Sequence, residues 1–70
     1  MTEYAIVIED AGANLSAYVP DLPGCVATGT TVEEVTTHIR DAIALHLESL
    51  KEHGEAVPPP TSRVGSVQVA

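Results

Sequence analysis

The sequence predicts a single α+β domain with the element order β-β-β-α-β, in which one helix packs on one face of an antiparallel sheet. Three observations lead to this prediction. Short runs of β-branched and apolar residues fill the first 30 positions, apolar residues recur at helical spacing from Val32 to Leu50, and glycines and prolines separate these runs. A chain of 70 residues holds one domain at most, so residues 1–70 are treated as one unit.

The first strand is predicted over residues 3–9, a run rich in β-branched residues. Successive side chains of a strand point to opposite faces, and here both faces are apolar. One face carries Tyr4, Ile6 and Ile8, and the other carries Ala5 and Val7. We therefore expect this strand to be buried on both sides.

A turn at Gly12 and Asn14 connects this strand to a second one over residues 15–19, as an antiparallel hairpin. The following segment must interrupt the sheet, because it contains two prolines and a glycine. Its members are Val19, Pro20, Asp21, Leu22, Pro23, Gly24 and Cys25. Residues 22–25 fit a type II turn, after which a third strand is predicted over residues 25–28 and ends at Gly29.

The helix is predicted over residues 32–53. Thr31 is its expected N-cap and Glu34 the reciprocal partner in a capping box, while Glu33 adds negative charge near the positive end of the helix dipole. Gly54 is expected to cap the other end in a left-handed conformation.

Residues 63–69 are predicted to form a fourth strand, with a bulge or a close approach at Gly65. The prolines at 58–60 connect it to the helix as a stiff, extended linker.

One helix covers only one face of such a sheet, so the opposite face should stay open. Ala5, Val7 and Tyr18 are the candidate apolar residues on it, and a face of this kind usually marks a protein partner. A single core of this size supplies only about 3–5 kcal/mol, and the lone Cys25 offers no internal disulfide. We therefore expect a dimer or a tetramer.

The charge balance disfavours two classes of partner. The chain has three Lys or Arg residues against ten Asp or Glu residues, for a formal net charge of −7. Phosphate backbones and anionic membranes both attract basic proteins, so neither nucleic-acid binding nor membrane docking is expected. The sequence shows neither a signal peptide nor a long apolar run, which predicts a cytoplasmic location.

No catalytic, metal or cofactor site is predicted. Glu9, Asp10 and Asp21 are conceivable ligands of a metal-dependent nuclease, but no basic residue near them would hold a phosphate. His46 and His53 are seven residues apart on the helix, about 10.5 Å along its axis, which is too far for one zinc ion. Cys25 is best interpreted as a small buried apolar residue rather than a nucleophile.

Three segments together resemble the HicB family of antitoxins. They are Tyr18-Val-Pro-Asp-Leu-Pro-Gly-Cys25, Gly29-Thr-Thr-Val-Glu-Glu34 and Gly54-Glu-Ala-Val-Pro-Pro-Pro60. With an opening strand that is also similar, the likeness covers about residues 3–60. It implies a partial, degenerate RNase H-like fold, with residues 61–70 as its final strand.

The resemblance also implies a function. HicB-like antitoxins are non-catalytic, self-associate, and bind and neutralise HicA, a small basic toxin that cleaves mRNA. An acidic chain suits such a partner, because opposite potentials favour encounter. The candidate contacts are Glu9, Asp10, Asp21 and Glu33.

Many relatives also carry a C-terminal module that binds DNA. The 70 residues contain no counterpart of it, so promoter binding is not expected. The alternative function is an orphan homo-oligomeric module that binds other proteins or small ligands without a toxin.

Overall fold

The computed structural model of the chain describes residues 2–70. Over these residues it contains three strands followed by one helix, which are β1 (Val7–Asp10), β2 (Leu15–Tyr18), β3 (Val26–Gly29) and α1 (Val32–Glu52). The strands form one antiparallel sheet in the order β1-β2-β3. The α+β class and the order of these four elements are as predicted.

The helix packs on β2 and β3 and closes a single apolar core. The buried core residues come from β2, from the loop after it and from the first turns of α1: Ala17, Val19, Leu22, Cys25, Val35 and Ile39. Tyr4, Ile6 and Ile8 pack against this cluster, so they lie on the core side of the first strand. The other side of that strand has no helix over it, yet Ala5 and Val7 there are half-buried, as are Tyr4, Ile6 and Ile8 on the core side.

Strand β1 is shorter than predicted, and the sequence of its partner explains why. Val7 pairs with Tyr18, so the residues before Val7 run past the end of β2. There Pro20 lacks an N–H group and the chain turns away from the sheet. Tyr4 and Ile6 still alternate into the core although they pair with no strand.

The turn between β2 and β3 follows the prediction closely. Cys25 N donates to Leu22 O at 3.1 Å, and Gly24 has a positive φ of 84°, the conformation that the third position of a type II turn requires. Val19 N also donates to Cys25 O at 3.2 Å, which closes the loop at its base. Leu22, at its centre, is completely buried.

The helix begins at the predicted N-cap, Thr31, but the Glu34 side chain binds the residue before the cap. Glu34 N donates to Thr31 Oγ1 at 3.0 Å, as a capping box requires. The Glu34 carboxylate, however, accepts from Thr30 N at 2.8 Å rather than from Thr31 N. At the other end the helix finishes at Glu52, and Gly54 has a positive φ of 66°.

The predicted fourth strand does not form. Residues 55–70 have no regular secondary structure. The valines of the expected strand are 81% (Val64), 89% (Val67) and 84% (Val69) exposed. Val64 and Val67 are three residues apart, so in an extended chain they point to opposite faces and cannot share one buried face. The bulge expected at Gly65 would have corrected this phase only within a paired strand.

Candidate protein-binding surface

The face of the sheet opposite α1 carries a row of apolar side chains. Val7 pairs with Tyr18 in β2, and Tyr18 pairs with Val26 in β3. Ala5, two residues before Val7, lies on the same face just before β1 begins. Tyr18 is 40% exposed and Val26 is 65% exposed. We call these four residues, Ala5, Val7, Tyr18 and Val26, the open sheet face.

Val26 is the member that the sequence prediction lacked. The loop between β2 and β3 is centred on Leu22, so residues at equal distances before and after it pair with each other. That symmetry places Val26 opposite Tyr18. The predicted type II turn at residues 22–25 is centred between Pro23 and Gly24 and would pair Tyr18 with Gly29, so the turn alone could not have found Val26.

The neighbouring row on the same face is polar. Glu9 pairs with Ser16, and Ser16 pairs with Thr28. The apolar row therefore contains no charge, and the row beside it contains one. In a chain with thirteen charged residues, this face is unusually poor in charge.

Four acidic residues lie at one end of the domain, and one of them, Glu34, is engaged in the helix cap. Asp10, Leu15 and Gly29 form the last cross-strand row of the sheet. The helix begins three residues after that row, and Glu33 lies in its exposed first turn. The structure thus brings Glu9, Asp10 and Glu33 to the same end, with all three exposed. We call them the acidic end.

Asp21, the fourth candidate contact, lies at the opposite end and already has partners. Its carboxylate accepts hydrogen bonds from Ser62 N at 3.0 Å and Ser62 Oγ at 2.8 Å, and from Thr61 N and Thr61 Oγ1 at 3.1 Å each. The Ser62 N–H bond is the main reason that the pKa of Asp21 is lowered. Tyr4 Oη, donating to Pro58 O, holds the same segment at a second point. Asp21 and Tyr4 together therefore fix residues 58–62 on the domain.

The remaining residues of the Val19–Cys25 motif form structure rather than a reactive site. Val19, Leu22 and Cys25 are buried in the core, and Pro20 and Gly24 shape the loop. Burial raises the pKa of the Cys25 thiol, which leaves it in the unreactive protonated form.

Two of the three histidines contact backbone carbonyls. His38 Nδ1 lies 2.7 Å from Thr28 O of β3, and His53 Nδ1 lies 2.8 Å from Ser49 O in the last turn of α1. Within residues 2–70, His, Cys, Asp and Glu side chains form no group of three that would hold a metal ion. Within residues 2–70, no helix is long and apolar enough to cross a membrane.

Comparison with known families gives one clear match. A model for the HicB_like antitoxin of bacterial toxin-antitoxin system matches residues 4–69. One chain in the solved structure of the HicA3 and HicB3 toxin-antitoxin complex has a similar fold, with a TM-score of 0.74 and 32% identity. The similarity covers 84% of this chain and 70% of that one.

Individual relatives agree with this match. UPF0150 protein Ta0767 of Thermoplasma acidophilum is 39% identical over 57 residues, which are 80% of this chain and 83% of that protein. UPF0150 protein ssr1765 of Synechocystis is 36% identical over 56 residues, 79% of this chain and 71% of its own length. A 14.9 kDa protein of Haemophilus phage HP1 is 36% identical over 55 residues, 79% of this chain, but is covered to only 41%.

Proposed function

The chain belongs to the HicB-like antitoxin family, and from that membership we propose that it neutralises a basic, RNA-cleaving toxin of the HicA type by binding it. The protein acts without catalysis, as a stoichiometric partner that covers the toxin's RNA-binding surface. The observation that carries this proposal is the family match over residues 4–69 together with the similarity to a chain of the HicA3 and HicB3 complex. This role places the protein in the cytoplasm, where mRNA is cleaved.

The acidic end is the part of the surface that we assign to the toxin. Glu9, Asp10 and Glu33 are exposed at one end of the domain, with Glu9 and Asp10 on opposite faces of β1. A protein that binds RNA presents cationic surface, and exposed carboxylates at one end of an acidic domain complement it. Asp21 is left out of this contact because its oxygens are occupied by Thr61 and Ser62.

The open sheet face is the part that we assign to self-association. It is apolar and nearly uncharged, so two copies of this acidic chain can meet there without opposing their carboxylates. Self-association would also bury Tyr18 and Val26, which the isolated domain leaves exposed. The expected product is a dimer or a tetramer.

Calorimetry with a purified HicA-type toxin tests the toxin contact. The triple variant Glu9→Gln, Asp10→Asn, Glu33→Gln should weaken binding about tenfold or more, with a loss that shrinks at high salt. The control variant Glu48→Gln, Glu52→Gln, Glu55→Gln removes the same charge from the far end of the helix and should bind nearly as the unmodified chain does. Equal losses in the two variants would show that only net charge matters. Absence of any complex would overturn the proposal.

Sedimentation equilibrium tests the self-association. The Tyr18→Asp, Val26→Asp variant should become monomeric at micromolar concentration, whereas Leu45→Asp, a change at a 68% exposed helix residue, should not. If the unmodified protein is already a monomer, the role of the open sheet face is refuted. The calorimetric measurement of toxin binding then decides between the antitoxin function and the orphan interaction module.

A further inference from the structure

Glu9 belongs both to the acidic end and to the open side of the sheet. Val7 and Glu9 are two residues apart on β1, so their side chains point to the same face. Cross-strand pairing continues the row of Glu9 through Ser16 to Thr28. One shallow depression is lined by Glu9, Ser16, Tyr18, Val26 and Thr28. A partner that covers this depression therefore covers Glu9.

The open sheet face is too small to hold a second copy without Glu9. Each strand has four residues and is about 14 Å long, and the three strands together are about 14 Å wide, which gives a footprint of about 200 Å². A stable protein interface covers roughly 800 Å² on each partner. A second copy that contacts Tyr18 and Val26 must therefore extend over the row of Glu9 as well.

Self-association would leave the Glu9 carboxylate buried without a counter-charge. Two of the three basic residues, Arg40 and Lys51, lie on α1, and Arg63 lies beside residues 3–8 at the edge of the sheet. None of the three lines the depression around Glu9. The penalty comes from lost hydration, so it applies even when the two Glu9 side chains stay apart in the dimer. The charge of Glu9 therefore opposes self-association.

A cationic partner reverses the sign of this effect. In contact with the toxin, the same carboxylate faces basic groups, and its charge favours binding. We propose, resting on the toxin-binding function above, that the toxin and a second copy of this chain compete for the surface around Glu9, so that toxin binding dissociates the self-associated protein. The coupling is reciprocal, so self-association weakens the apparent affinity for the toxin by the same factor.

Single substitutions separate the two effects of Glu9 in the full chain. Glu9→Gln should tighten self-association about tenfold in sedimentation equilibrium and weaken toxin binding several-fold in calorimetry, because the charge it removes acts in opposite directions. Asp10→Asn removes the same charge from the other face of β1 and should weaken toxin binding alone. Glu48→Gln, on the exposed surface of the helix, controls for net charge and should change neither constant by more than about twofold. Equal tightening of self-association in Glu9→Gln and Glu48→Gln would overturn the proposal.

Native mass spectrometry tests the competition by counting copies of the 7.3 kDa chain as a purified HicA-type toxin is added. The homo-oligomer should disappear, and the toxin complex should contain a single copy of the chain. A toxin complex that keeps the homo-oligomer intact would overturn the competition and leave the antitoxin function standing. Absence of any toxin complex would overturn both. A protein that is monomeric before the toxin is added would refute self-association at the open sheet face and the competition together.

Discussion

Gly29 sets the distance between the sheet and the helix, and replacing it with alanine should destabilise the domain. It is the buried last residue of β3, two residues before the N-cap of α1. A Cβ atom added there would lie 2.7 Å from Val35 N, 2.9 Å from Val35 Cα and 3.1 Å from Val35 Cβ. The first two are backbone atoms of the first helical turns, so no side-chain rotation can relieve the clash. The start of the helix must move.

The size of the effect follows from that geometry. Ordinary contact begins at 3.4 Å, so the backbone at Val35 must retreat by about 0.7 Å. Val35 and Ile39 are both fully buried against β2 and the Leu22 loop, and they would move with it. Overpacking of this kind costs about 1–3 kcal/mol, a large part of the roughly 3–5 kcal/mol that one small core supplies. For a domain of this size, each kcal/mol lowers Tm by about 4–8 °C.

Thermal and urea unfolding followed by circular dichroism measure this loss. Gly65→Ala is the matched control, because a Cβ there meets no atom within 4 Å. The control should change the free energy of unfolding by less than about 0.5 kcal/mol. If Gly29→Ala is as stable as Gly65→Ala, the close packing of β3 against α1 is not a source of stability and the reasoning fails.

Three other predictions concern the cap, the core and the carboxylates. Thr31→Ala should lower the free energy of unfolding by about 1 kcal/mol, because Glu34 N loses its acceptor, and Thr31→Ser should restore most of it in urea unfolding. Leu22→Ala should cost about 2–5 kcal/mol and leave the domain largely unfolded at 37 °C by circular dichroism, whereas a folded, cooperative variant would show that the loop is not part of the core. Hydrogen bonds from Ser62 N and Thr30 N keep the pKa of Asp21 below 3.8 and that of Glu34 below 4.5, so the unfolded chain takes up these protons first as pH falls. Stability should be complete above about pH 4.5 and decline below it, and Asp21→Asn, Glu34→Gln should flatten that decline in a pH series of melting curves.

Local chemistry allowed much of the fold to be predicted from the sequence. The type II turn follows from Pro23 and Gly24, and the helix bounds follow from Thr31 and Gly54, because each of these residues favours one backbone conformation. The alternation of the first strand also placed Tyr4, Ile6 and Ile8 on the core side correctly. These features depend on neighbours within a few positions.

The features that were missed depend on distant contacts. Asp21 was interpreted as a free carboxylate, and nothing within its own loop announces Thr61 and Ser62 some 40 residues later. Residues 63–69 have strand-like composition but pair with no strand, although residues 62–65 lie beside residues 3–8. Val26 entered the open sheet face only through the register of β2 with β3. Pairing and anchoring across the chain are set by packing, which local patterns do not encode.

Titration of toxin activity tests the proposed antitoxin role most directly. A purified HicA-type toxin is incubated with a labelled mRNA and increasing amounts of the protein, and cleavage is measured. Toxin activity should fall linearly to near zero at a fixed stoichiometric ratio, and the Glu9→Gln, Asp10→Asn, Glu33→Gln variant should require a large excess. Undiminished cleavage at saturating protein would contradict the account.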